Sequence, residues 1–169
     1  MRLILGMQVG VQLVKWMEEL ITKVKSNKIK QLEIIFNSEG GDAAFTELLK
    51  KQVEELESCT DVVIVNGNQV ASAAVDFYRL FSKRGALSDS HFLIHKSSYC
   101  FENDSAGFIK KCIAKGEEDD KRMFRDMFDS FVLNGMTKSE LNRVKNTVKY
   151  GGDYVIFKDE AVRWGLVNA

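Results

Sequence analysis

Apolar positions in this chain follow two alternating rhythms. Short aliphatic or β-branched runs at residues 2–7, 32–36, 62–65, 91–95 and 154–157 have the length and composition of strands. Between them the spacing changes. Leu13, Val14, Met17, Leu20, Ile21 and Val24 fall on one face of a helix over 10–26, and Phe45, Leu48, Leu49, Val53 and Leu56 do the same after Gly40-Gly41. A further helix is predicted over 71–81. From about 104 to 134 the chain reads as one long helix, with Phe124, Met127, Phe128, Phe131 and Val132 as its apolar stripe. Residues 116–122 are almost wholly polar, a solvated face or a subunit contact. Thr137 and Glu140 have capping-box spacing for the next helix, and Gly165 closes a last one over 159–164.

Strand–helix alternation of this kind predicts an α/β fold with a mainly parallel sheet and right-handed crossovers. No repeat, linker or low-complexity tract divides the 169 residues, so a single domain spanning 1–169 is expected. In parallel sheets, ligands bind beyond the carboxyl ends of the strands. That edge is where the chemistry-bearing residues fall.

Composition narrows the classes. Lys plus Arg and Asp plus Glu are both 24, so no net field draws the chain to nucleic acid or to anionic lipid, and neither partner is expected. The apolar start is interrupted by Gln8, Gln12 and Lys15, and no run is long enough to cross a bilayer. Cys59, Cys100 and Cys112 lack metal-ligand spacing and read as reduced, mostly buried thiols of a cytoplasmic protein. His91 and His95 have no accompanying carboxylate or cysteine cluster, so neither metal nor cofactor is expected.

Three segments carry the functional signal: Asn37-Ser38-Glu39-Gly40-Gly41-Asp42, Asn68-Gln69-Val70-Ala71-Ser72-Ala73-Ala74 and Phe92-Leu93-Ile94-His95. Paired glycines after a strand make a turn whose backbone N–H groups can approach a developing oxyanion. A serine opening a helix is by default an N-cap. Small neighbours at Ala71, Ala73 and Ala74 leave room for a substrate, and a histidine ending a nearby strand supplies a base. Ser72 and His95 are therefore a candidate nucleophile and base.

These segments resemble the Clp protease proteolytic subunit family (ClpP), serine peptidases of the ClpP/crotonase fold. Asn37 to Gly41 is similar to the family's N-S-P-G-G turn, with Glu39 in place of proline. Gln69 to Ala74 resembles Q-A-A-S-M-G, and Phe92 to His95 resembles V-M-I-H without the proline that follows. Glu160-Ala161-Val162-Arg163-Trp164-Gly165-Leu166-Val167-Asn168 resembles the E-A-V-E-Y-G-L-V-D ending. The resemblance implies repeated β-β-α units with a mainly parallel sheet and a long protruding helix. It implies a serine peptidase acting on short or unfolded peptides, with Ser72 as nucleophile, His95 as base and the N–H groups of Gly41 and Ala73 as oxyanion hole. It also implies a homo-oligomer, a hexameric or heptameric ring that can stack in pairs.

The chain departs from the pattern twice. The family's triad aspartate belongs to a D-T pair whose best match is Asn146-Thr147, which makes Asn146 the expected third member. Asp153, after Gly151-Gly152, is the rival and otherwise a turn residue. The chain also starts almost at its first strand, without the segment that in the family contacts the unfoldase, so a Clp-type ATPase partner is the least supported implication. Two other classes compete: a catalytically impaired scaffold or regulatory subunit, and a crotonase-like acyl-CoA enzyme.

Overall fold

In a computed structural model, which describes residues 1–97 and 105–169, six strands form one sheet in the order β1-β2-β3-β5-β6, with β4 paired to β3. The strands are β1 (Arg2–Gly6), β2 (Gln31–Ser38), β3 (Asp61–Ala71), β4 (Arg84–Ala86), β5 (His91–Ile94) and β6 (Tyr154–Phe157). The helices are α1 (Val11–Ser26), α2 (Thr46–Cys59), α3 (Ala73–Arg79), α4 (Ala106–Leu133), α5 (Lys138–Lys149) and α6 (Lys158–Arg163). Every pairing is parallel except β5 with β6. The expected mainly parallel α/β sheet is the one observed. Cys100 and the anticipated helix start at Asp104 lie outside the described residues, and Cys59 and Cys112 are half-buried rather than mostly buried.

Burial follows the apolar periodicity. All six predicted core positions of α1 are buried, and Leu32, Ile34 and Phe36 of β2 point into the same core. In α2 the buried stripe is narrower than predicted: Leu49, Val53 and Leu56 are buried, whereas Leu48 is exposed. The last turns of α4 contribute Met127, Phe128 and Phe131, and Phe131 packs against the fully buried Trp164 with ring centroids 5.6 Å apart. No helix among the described residues is long and apolar enough to cross a membrane.

Strand β3 organises the site. It is longer than the apolar run at 62–65 because it continues through Gly67, Asn68 and Gln69 and changes partner on the way. Its first half pairs with β4 through Ile64–Asn66, and its last residues pair with β5 through Gln69–Ala71. At the change of partner the buried Asn66 amide donates to the His91 carbonyl at 2.8 Å, and its Oδ1 accepts the Asn68 N–H at 3.1 Å. The register with β2 shifts between Phe36 and Ser38 over the same stretch. The side chain of Asn66 therefore supplies the bonds that a regular ladder loses there.

The chain end closes the fold on β4. Asn168 accepts the Arg84 N–H and donates to the Ser82 carbonyl, and the Arg84 guanidinium donates to the carbonyls of Phe81, Gly165 and Leu166. The Thr137 capping box forms as the spacing predicts.

Candidate active site

The three segments converge at the carboxyl end of the sheet. Met7 and Val9 fasten the glycine turn: Met7 N–H donates to Asn37, Val9 N–H donates to Gly40 at 2.7 Å, and Asp42 N–H donates back to Val9 at 3.0 Å. This bridge uses the Gly40 carbonyl and the Asp42 N–H and leaves the Gly41 N–H outside it. Both glycines sit at positive φ, +118° and +140°. A Cβ on Gly41 would lie 2.1 Å from the Val9 carbonyl oxygen, and one on Gly40 would lie 2.6 Å from the Ser72 Cβ. Only glycine fits this passage between β1 and the serine. Buried Ser38 supports the turn by accepting the Gly40 N–H.

Ser72 stands on the sharp bend between β3 and α3. Its backbone has φ 53° and ψ −133°, a region that non-glycine residues enter at a cost of about 1–3 kcal/mol. Its N–H donates to the Leu93 carbonyl at 2.9 Å, which ties the bend to β5. The side chain makes no cap hydrogen bond to α3, so the N-cap reading of this serine does not hold. The half-buried hydroxyl instead sits beside Gly40. Ala73 opens α3, so its N–H is a first-turn donor without an acceptor inside the helix.

His95 follows β5 directly. Since β3 and β5 run parallel with Ala71 opposite Leu93, the ends carrying Ser72 and His95 lie side by side at one edge. No hydrogen bond joins the two side chains among the described residues. The imidazole Nδ1 instead meets the Lys96 carbonyl at 2.6 Å.

The two rivals for the third position fall in different places. Asn146 lies within α5 on its exposed side, away from the buried Val144 and Val148, and its side chain bonds to no described residue. Asp153 immediately precedes β6. The antiparallel ladder runs from His91 opposite Phe157 to Ile94 opposite Tyr154 and ends there, with His95 the next residue on one side and Asp153 the next on the other. The exposed carboxylate of Asp153 is not hydrogen-bonded to the imidazole. Its neighbour Tyr154 is held by Arg143, which donates to the Tyr154 hydroxyl at 2.8 Å and to Glu160 at 3.1 Å.

Asp76, one turn beyond Ser72, is a group that the sequence patterns did not single out. Burial pushes its carboxyl up to about 6, Arg79 pulls it back, and Asp120 of α4 pushes it further up. An acid inside an apolar helical stretch was the available signal. Among the described residues no group of three His, Cys, Asp or Glu side chains converges as a metal site.

No family model and no curated protein sequence matches the chain. Among solved structures, an asparagine-to-aspartate mutant of ClpP1 from Listeria monocytogenes is similar over 98% of this chain and 87% of that one, with 20% identity and a TM-score of 0.70. The arrangement of strands and helices thus belongs to a known architecture, and this chain has the ClpP-like fold.

Proposed function

We propose that this chain is a serine-type endopeptidase that hydrolyses short or unfolded peptides. The observation that carries the reading is Ser72: strained, without a side-chain bond to its own helix, and packed against Gly40 of the glycine turn. A serine held in such a conformation without serving its own helix is arranged for an external acceptor. In the proposed reaction the Ser72 Oγ attacks the scissile carbonyl while His95 Nε2 takes its proton. The N–H groups of Gly41 and Ala73 receive the oxyanion. His95 then delivers the proton to the leaving amine, and water resolves the acyl-serine by the same steps in reverse.

Backbone register favours Asp153 over Asn146 as the third member, because only Asp153 adjoins the strand paired with β5. It requires a rotation of His95 away from the Lys96 carbonyl. Assembly into a homo-oligomeric ring fits two exposed apolar surfaces. Ile4 on the sheet is 78% exposed, although parallel sheets are ordinarily covered on both faces, and Phe108 and Ile113 protrude from the first half of α4.

A second reading, a catalytically silent subunit of such an assembly, is favoured by the absence of a Ser72–His95 hydrogen bond among the described residues. Labelling with a fluorophosphonate separates the two. The peptidase reading expects one labelled residue, Ser72, and release of dye from a quenched unstructured peptide. Intact protein that resists the probe under all assembly conditions leaves the silent subunit.

A further inference from the structure

Ser97, two residues beyond His95, is held by α4. Its hydroxyl donates to Asp120 Oδ1 at 2.6 Å and its N–H donates to Oδ2 at 3.1 Å. The Ser97 N–H and the Lys96 carbonyl are the two ends of one planar peptide group. Asp120 therefore grips one end of the same rigid unit whose other end meets His95 Nδ1 at 2.6 Å. A carbonyl oxygen can only accept, so Nδ1 carries hydrogen and the neutral ring leaves Nε2 bare. That is the tautomer a base acting through Nε2 requires. A carboxylate on the N–H end also polarises the peptide and makes its carbonyl a stronger acceptor.

We propose that Asp120 of the long helix is a positioning residue for His95, acting through the Lys96–Ser97 peptide to hold the resting imidazole in the tautomer with hydrogen on Nδ1, the tautomer with which the ring then turns to Asp153. The proposal rests on the reading of His95 as the base of Ser72. It gives α4 a part in the chemistry beyond covering the core: its docking sets whether the imidazole is presented correctly. On α3, the charge of Asp120 acts on Asp76, which is ion-paired with Arg79 across 3.7 Å.

The test uses the full chain with 15N-labelled histidine, and the His91→Gln variant assigns the two rings. In the wild type the His95 signals should show hydrogen on Nδ1. Asp120→Ala should shift them toward a mixture of both tautomers while those of His91 stay in place. Asp120→Asn, which keeps an acceptor oxygen without the charge, should retain much of the wild-type pattern. Fluorophosphonate labelling should slow on the order of tenfold in Asp120→Ala, part of the roughly 10²–10⁴-fold that a positioned base supplies. Ser97→Ala combined with Asp120→Ala should add little to Asp120→Ala alone. His95 signals unchanged in Asp120→Ala overturn the proposal, whatever the labelling rate. A tautomer shift in a protein that the probe never labels upholds the positioning and removes the Ser72 reading instead.

Discussion

The two walls of the candidate site are built differently. On one side, β2, β3 and α3 fix the glycine turn and Ser72 through backbone bonds and packing: Val9 and Leu93 hold the turn and the bend, and Phe36, Phe77 and Val70 beneath them are fully buried. On the other side, His95 and its possible acids sit on chain held mainly by side chains. Lys96 and Ser97 depend on Asp120, and the start of β6 depends on Arg143 with Tyr154 and Glu160. The Arg143 side chain is more than half exposed, and pairs of that kind contribute about 0–1 kcal/mol. Close-packed backbone cannot readjust cheaply, whereas a side-chain tether can exchange partners. In the proposed reaction the nucleophile and the oxyanion donors are thus preorganised, and the base is the adjustable part.

The sharpest way to break this contrast is Ser72→Ala. It should abolish fluorophosphonate labelling and lower peptide hydrolysis by about 10⁶-fold, the scale of losing a nucleophile that works with a base. Folding should hardly change, since the hydroxyl bonds to nothing in the helix. Labelling that persists in Ser72→Ala would move the nucleophile elsewhere.

The adjustable wall is tested by exchanging its two acid candidates. Asp153→Asn should slow hydrolysis by up to about 10⁴-fold, the cost of an amide in place of a triad carboxylate. Asn146→Asp should leave the rate unchanged, because that side chain projects from the exposed side of α5. Acceleration by Asn146→Asp with an inert Asp153→Asn would return the third position to α5.

The same contrast decides what was legible in the sequence. Strand ends, glycine turn and helix faces were readable, because periodicity and paired glycines report on the rigid wall directly. The strain at Ser72 had no signal, since serine is tolerated in many turns and the bond from its N–H to Leu93 joins positions 21 apart. The extension of β3 was hidden by Gly67, Asn68 and Gln69, poor strand formers whose pairing is rescued by Asn66. The place of Asp153 at the end of the ladder depends on the register of an antiparallel pair formed by segments 60 positions apart, and motif alignment pointed to Asn146-Thr147 instead. Ser97 and Asp120 carry no motif at all.

A third change strains the rigid wall. Gly41→Ala should destabilise the protein by about 3 kcal/mol or more, combining a backbone that favours glycine with a clash against the Val9 carbonyl. Chemical denaturation measures it. Because Val9 would have to withdraw, labelling of Ser72 should fall in the folded fraction as well. A variant of wild-type stability would show that the turn is as adjustable as the opposite wall.

The smallest effect lies where the two walls meet. Asp76 is on α3, but Asp120 of α4 faces it, and its carboxyl is pushed up to about 6 from 3.8, first by burial and then by that neighbour, against the pull of Arg79. The folded protein therefore holds a proton that the unfolded chain has already released between these two values. Stability linked to Asp76 is complete below about pH 4 and is lost as pH rises through about 6, a loss of at most about 3 kcal/mol. Asp76→Asn removes this titration. The variant should gain melting temperature relative to wild type as pH is raised from 4 to 7.5, and the gain should level off above that. If Asp76→Asn instead loses ground at the higher pH, the ion pair with Arg79 outweighs burial. The charged form of Asp76 would then bind α3 into the rigid wall rather than strain its junction with α4.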